Sequence, residues 1–197
     1  MSELTKQQLR KYFKDIRSSF TTEEKSVIDQ KVFDCFVQNG ILDNCSDILV
    51  YVSGDIEIGT RKIIDHILGR IMNGEKKRIL CPRCENGNIM HFYRIDSFDD
   101  LECGHFGILE PKNSCERIDS FTESVCLVPG LSFDRLGYRL GFGKGFYDRF
   151  LTDFSGITVG LCCESCMTDG ELPRDKYDIS VDHIVTEKGW FKLKGKE

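Results

Sequence analysis

The sequence predicts a single α/β domain, residues 1–197, built on a largely parallel sheet. Two observations carry this. Apolar runs of strand length, DILVYV at 47–52 and SVCLV at 124–128, alternate with stretches of helical periodicity. A chain of 197 residues, 40% hydrophobic and 30% charged, can also bury a full core without staples. That balance excludes intrinsic disorder, a collagen-like repeat and a small disulfide-held scaffold.

The elements follow in order. Residues 4–20 form a helix, because Leu9, Phe13, Ile16 and Phe20 fall on one stripe at 100° per residue. Lys6, Arg10, Lys14 and Arg17 fall on a narrow adjoining stripe, of which Lys14 and Arg17 fit a solvated basic face. Thr21-Thr22-Glu-Glu caps a second helix over 23–38, closed by Asn39-Gly40. A strand at 47–52 is followed by a helix at 60–72 with Ile63, Ile64, Ile67, Leu68 and Ile71 inward. Strands are expected at 78–81 and 89–95, then mostly loop over 96–121 and a buried strand at 124–128. A glycine-rich loop leads into a helix over 144–154, and strands at 157–162 and 183–185 complete the pattern. Ligands of parallel sheets sit at the carboxyl ends of strands, which directs attention to the loops after Val52 and Val128.

No apolar run approaches the roughly 18–20 residues that span a bilayer, so no membrane association is expected. The N-terminal stretch lacks the basic-then-apolar shape of a signal peptide, which predicts a cytoplasmic protein with its ten cysteines reduced. With 27 basic and 32 acidic residues the net charge is −5, which argues against nucleic-acid binding. Basic charge is nevertheless concentrated. Lys6, Arg10, Lys11, Lys14 and Arg17 face the single acid Asp15 over 4–17, and Arg135, Arg139, Lys144 and Arg149 face the single acid Asp148 over 135–149. Two basic islands in an acidic chain suit a small polyanion with a defined seat.

The second island contains the most informative segment, Arg139-Leu-Gly141-Phe-Gly143-Lys144-Gly145-Phe-Tyr147-Asp148-Arg149. Glycines at alternate positions before a helix let backbone N–H groups approach an anion, and the helix start adds partial positive charge. Arg139 offers a fork and Lys144 a point charge. The spacing is neither Walker A, since no Ser or Thr follows the lysine, nor the dinucleotide G-x-G-x-x-G. Taken alone, it also suits a tight turn.

The run from Val128-Pro129-Gly130 through Asp134, Gly137, Arg139 and Gly141 to Tyr147-Asp148 closely resembles the signature of the 5-formyltetrahydrofolate cyclo-ligase (5,10-methenyltetrahydrofolate synthetase) family. Lys6-x-x-Leu9-Arg10, Glu57-Ile-Gly-Thr60, Pro82-Arg83, Phe106-Gly-Ile-Leu-Glu-Pro111 and Val181-Asp182 with Ile184-Val-Thr-Glu187 lie in family order. The resemblance implies a three-layer α/β/α sandwich, Rossmann-like, with a mostly parallel central sheet. It implies cyclisation of 5-formyltetrahydrofolate, with or without a polyglutamate tail, to 5,10-methenyltetrahydrofolate. ATP and Mg²⁺ would be required and ADP and phosphate released, through a phosphorylated formyl group, and a monomer is expected.

By the same match, Lys6, Arg10, Arg139, Gly141, Gly143, Lys144, Gly145 and Tyr147 would hold ATP, with Arg139, Lys144 and Tyr147 as the catalytic set. Asp148 and Asp182 would hold Mg²⁺, and Val52, Glu57, Phe142 and Phe146 the folate. A carboxylate such as Glu57 suits the amino and ring N–H groups of a pterin. Phe142, Phe146 and Tyr177 depart from residues common in the family, as does the segment 161–167, which lacks a frequent Gln. These departures bear on the substrate side and leave room for a non-catalytic or altered-specificity folate- or nucleotide-binding paralogue. Cys81-Pro-Arg-Cys84 and Cys163-Glu-Ser-Cys166 also form two C-x-x-C pairs, a rival reading as a zinc-held module, although their separation is far from zinc-ribbon spacing. No pair among His66, His91, His105 and His183 has helix-ligand spacing.

Overall fold

Helix α1 (Lys6–Ser18) begins where Thr5 accepts the Gln8 N–H and Gln8 answers on Thr5, a reciprocal cap that starts the helix just after Leu4. The same device at Thr21 and Glu24 starts α2 (Thr22–Gln38). The fold is that of a computed structural model, which describes residues 4–85, 89–104 and 107–193. The stretch 1–3, His105 and Phe106, all used in reading the sequence, lie outside the described residues.

Strand β1 (Asp47–Leu49) is fully buried and leads to α3 (Arg61–Met72), β2 (Arg78–Glu85) and β3 (Ile89–Ile95). Three short strands follow, β4 (Leu101–Cys103), β5 (Leu109–Pro111) and β6 (Arg117–Ile118), within the stretch expected to be mostly loop. Then come β7 (Ser124–Val128), β8 (Ser132–Asp134), β9 (Arg139–Leu140) and α4 (Phe146–Asp153). The last elements are β10 (Ile157–Leu161), β11 (Met167–Thr168), β12 (His183–Thr186) and β13 (Gly189–Lys192).

The main sheet has eight strands in the order β13-β12-β10-β7-β1-β2-β3-β6. The pairs from β12 through β10, β7 and β1 to β2 are parallel, and the β13, β3 and β6 pairings are antiparallel. From the central β7–β1 pair, β1→α3→β2 steps one way and β7→α4→β10 the other. Right-handed crossovers therefore put α3 and α4 on opposite faces, which makes the three layers. Helix α2 packs beside α3, while α1 lies over β9 and the 164–166 turn. Phe92 of β3 meets Phe150 of α4 at 4.7 Å between ring centroids, and Phe121 and Phe154 extend that aromatic cluster.

Several boundaries shift, β1 ending at Leu49 and β2 running on to Glu85, and two further shifts have clear local causes. The last helix starts at Phe146 because Gly145, at φ 67°, occupies the left-handed region and breaks the helical run. Cys162 leaves the regular strand because β10 ends at Leu161, although its N–H still bonds Val185 O at 3.0 Å. Arg17 corrects a larger expectation. It is not on a solvated face but 4% exposed, inside the junction of three loops.

Candidate active site

Strands β7 and β1 leave the sheet side by side at the point where the strand order reverses, which is where open α/β sheets make a crevice. A cavity of about 1200 Å³ opens there. That exceeds the range of roughly 300–1,000 Å³ usual for one small molecule and leaves room for two.

One wall is the loop after β1, which carries Tyr51 and Val52 into the cavity. Thr60 folds the loop back, its hydroxyl donating to Tyr51 O at 2.6 Å and accepting from Ser53 N at 3.1 Å. Asp29 of α2 accepts from Gly59 N at 2.9 Å. So held, Glu57 faces the cavity while only 9% exposed, its Oε2 accepting Gly54 N–H at 2.7 Å. Burial raises the Glu57 carboxyl above its ordinary pKa, against the lowering effect of that N–H.

The facing wall is the glycine-rich loop. Gly141 O accepts from Arg10 Nε at 2.9 Å, so α1 grips the loop directly. Gly143 (φ 99°) and Gly145 (φ 67°) both need the left-handed region, and a Cβ on Gly143 would sit 3.3 Å from the Arg10 guanidinium carbon. Gly143→Ala is therefore expected to cost about 1–3 kcal/mol of stability through backbone strain. Thermal melting checks this loss.

The charged groups are already engaged. Arg139, its side chain 4% exposed, donates from Nη1 to Ile179 O at 2.8 Å and from Nη2 to Asp148 Oδ1 at 2.6 Å. Lys6 Nζ reaches Asp175 at 2.6 Å and Asp178 at 2.5 Å. Burial alone would lower the Lys6 pKa, but these two carboxylates outweigh it and raise it. Lys144, Phe142, Phe146 and Tyr147 line the same space, with Lys14 Nζ 5.9 Å from the Phe142 ring centroid and Arg149 5.7 Å from that of Phe146. The Tyr147 hydroxyl is sealed from water and has no hydrogen-bond partner among the described residues. Burial also holds it protonated, well above the ordinary tyrosine pKa. A buried O–H left without an acceptor is costly unless a ligand supplies one.

Asp182 is elsewhere. It lines a separate cavity of about 360 Å³ beside Ile157 and Thr158, where β10 and β12 begin. Its Oδ2 accepts from Thr158 N at 2.8 Å and Thr158 Oγ1 at 2.7 Å. The expected Asp148–Asp182 metal pair is thus not brought together, because Asp182 bridges strands at the amino end of the sheet. Asp182→Ala is expected to lower stability by about 1–3 kcal/mol. Thermal melting of the variant tests this.

Among the described residues no three or more His, Cys, Asp or Glu side chains form a group fit for a metal, which leaves the paired C-x-x-C zinc reading unsupported. Reading the sequence missed the 175–178 segment and the depth of Arg17. Neither had a signal short of the fold, since Arg17 shares its stripe with the exposed Lys14 as well as with Lys6 and Arg10.

These features define an α/β protein with a cavity at its topological switch point that is large enough for two small molecules, basic on one wall and carrying a buried carboxyl on the other. The sequence model of the 5-formyltetrahydrofolate cyclo-ligase family matches residues 2–187. A probable 5-formyltetrahydrofolate cyclo-ligase of Schizosaccharomyces pombe is 28% identical over 158 residues, covering 72% of this chain and 75% of that protein. The mitochondrial 5-formyltetrahydrofolate cyclo-ligase of Arabidopsis thaliana is 29% identical, covering 92% of this chain and 72% of its own. The solved structure of Aquifex aeolicus 5,10-methenyltetrahydrofolate synthetase superposes with a TM-score of 0.82 at 31% identity, over 98% of this chain and 95% of that one. The chain belongs to the 5-formyltetrahydrofolate cyclo-ligase family and is an enzyme, a ligase of folate one-carbon metabolism. Among the described residues, no helix is long and apolar enough to cross a membrane.

Proposed function

We propose that this enzyme converts 5-formyltetrahydrofolate, with ATP and Mg²⁺, to 5,10-methenyltetrahydrofolate, ADP and phosphate. The observation that carries the reading is the shared cavity. The buried Glu57 carboxyl faces the cavity from the loop after β1 and the glycine-rich, basic loop faces it from the other wall, while the Tyr147 hydroxyl just beyond that loop has no hydrogen-bond partner among the described residues.

A formamide oxygen leaves poorly at neutral pH, and ATP supplies the γ-phosphoryl group that turns it into a phosphate ester. The folate N10 then attacks the formyl carbon, the carbon–oxygen bond breaks, phosphate leaves, and N10 gives up its proton. The enzyme's work is to position two substrates and to neutralise phosphate charge. Arg10, Lys144 and the backbone of Gly141, Gly143 and Gly145 cradle the phosphates. Lys6 takes part by exchanging an internal carboxylate for phosphate oxygen, and Arg139 by turning its remaining N–H groups to phosphate while it keeps Asp148 in place. Tyr147 donates its hydroxyl at the reacting end, and Glu57 accepts from the pterin N–H groups while Val52, Phe142 and Phe146 flank it. Asp148 suits Mg²⁺, since that ion takes one or two carboxylates and fills its octahedron with phosphate oxygens and water.

A monomer in the cytoplasm is the simplest setting for this activity. The test is absorbance at the methenyltetrahydrofolate band on mixing the protein with 5-formyltetrahydrofolate and MgATP. A rise that needs both ATP and Mg²⁺ is expected. No rise with intact folate and folded protein would favour the binding paralogue or a different formamide substrate instead.

A further inference from the structure

The basic stripe of α1 is not spent at the phosphate end. Its first members, Lys6 and Arg10, reach the 175–178 segment and the glycine-rich loop, and Lys14 lies over Phe142. Eleven residues along from Lys6, about 16 Å at 1.5 Å per residue, Arg17 enters the protein interior. Its guanidinium donates from Nε to Leu131 O at 2.9 Å, from Nη2 to Gly130 O at 2.8 Å and from Nη1 to Ile56 O at 3.0 Å. Cys162 Sγ lies 3.7 Å from Nη2. Among the described residues no carboxylate forms an ion pair with Arg17. Its charge is held by the carbonyls of two loops and a thiol.

Those partners matter by position. Ile56 immediately precedes Glu57, Gly130 and Leu131 lead from β7 toward the glycine-rich loop, and Cys162 follows β10. A buried cation satisfied by neutral partners gives a core less than an apolar side chain of the same volume. What it does supply is a planar fork that fixes three carbonyls relative to one another and to the helix that carries it. One rigid helix therefore touches the phosphate loop at Arg10 and the Glu57 loop at Arg17.

We infer that Arg17 is a positioning residue through which α1 couples the glycine-rich loop to the Glu57 loop, so that nucleotide and folate each tighten the binding of the other. This rests on the proposed function, which places both ligands in the one cavity. Binding energy spent once on settling α1 is then not spent again by the second ligand. The coupling must be reciprocal, and couplings of this kind are typically about 5–150-fold.

The test uses the full-length protein, a non-hydrolysable ATP analogue with Mg²⁺, and 5-formyltetrahydrofolate, titrated calorimetrically alone and together. In the native protein each is expected to raise the affinity of the other by about 5-fold or more. In Arg17→Lys, which keeps the charge and loses the fork, affinity for the analogue alone should stay within about 3-fold while the mutual enhancement falls to about 1. Hydrogen exchange on the native protein gives a second measurement should the variant not fold. The analogue alone is expected to slow exchange across residues 53–60. Unaltered enhancement in Arg17→Lys, no enhancement in the native protein, or unaltered exchange over 53–60 overturns the coupling. An analogue or folate that does not bind the native protein at all instead overturns the functional reading beneath it.

Discussion

Replacing Arg139 with alanine is expected to lower turnover by about 10²–10³-fold, the usual cost of removing one preorganised donor from a developing anion. Two features of the site make this the largest effect. Arg139 is the most buried of the cations lining the cavity whose ion pairs are known, its side chain 4% exposed, so water does not replace it readily. It also orients Asp148, which on its removal keeps, among the described residues, the 3.3 Å bond from Ile179 N at the same oxygen. Stability should fall as well, but by less than for a fully buried pair, because the Asp148 side chain is 24% exposed. Single-turnover kinetics beside a melting curve separate the two losses. Arg139→Lys should recover much of the stability and little of the rate, since an ammonium lacks the two-pronged geometry that spans Ile179 O and Asp148. A rate within a few-fold of native in Arg139→Ala would remove this residue from the catalytic set.

Glu57→Gln is expected to weaken 5-formyltetrahydrofolate binding by about 10–100-fold, the worth of a hydrogen bond to a charged acceptor, with the ATP-analogue affinity of the isolated site retained. The pH dependence follows from burial, which raises the carboxyl above its ordinary pKa. On the proposed pterin contact, folate binding needs the ionised form. Affinity in the native protein should therefore rise with pH through that raised value, and the limb should flatten in Glu57→Gln. Stability runs the other way. The folded state holds the Glu57 proton more tightly than the unfolded state, so native stability declines as pH climbs from the ordinary carboxylate range through the raised pKa. Glutamine has no such decline and still offers an oxygen to the Gly54 N–H. At neutral pH the variant should thus be at least as stable as the native protein while binding folate worse, a trade of stability for function at a buried site. Equilibrium titrations and melting curves between pH 5 and 8 measure both. Unchanged folate affinity would end the pterin assignment.

The sequence carried the local part of this structure because local rules governed it. Periodicity located α1, α2 and α3 to within a few residues, and the caps at Thr5 and Thr21 are short-range hydrogen bonds written in adjacent side chains. The six strands expected are all present in the main sheet. β6 and β13 were not anticipated, because two- and four-residue edge strands take their form from a neighbour and not from their own pattern. The glycine-rich loop was legible for the same reason as the caps. Positive φ at Gly143 and Gly145 is a residue-level demand that glycine alone meets cheaply.

What the chain could not declare was which charges meet. Arg17 and Lys14 belong to one stripe of α1, yet Arg17 is buried among the carbonyls of Ile56, Gly130 and Leu131 whereas Lys14 stays exposed beside Phe142. Asp148 and Asp182 look alike in sequence. Asp148 faces the cavity against Arg139, and Asp182 is turned onto Thr158 at the amino end of β10. Lys6 finds Asp175 and Asp178 across more than half the chain. The sequence alone determined the helices, the six principal strands, the glycine-rich turn and the family, since these depend on neighbours within a few residues or on motifs in order. The tertiary structure alone decided the ion pairs and the burial of Arg17. Electrostatic energy depends on separation in space and on the surrounding dielectric, and neither exists until the sheet brings distant loops to one end.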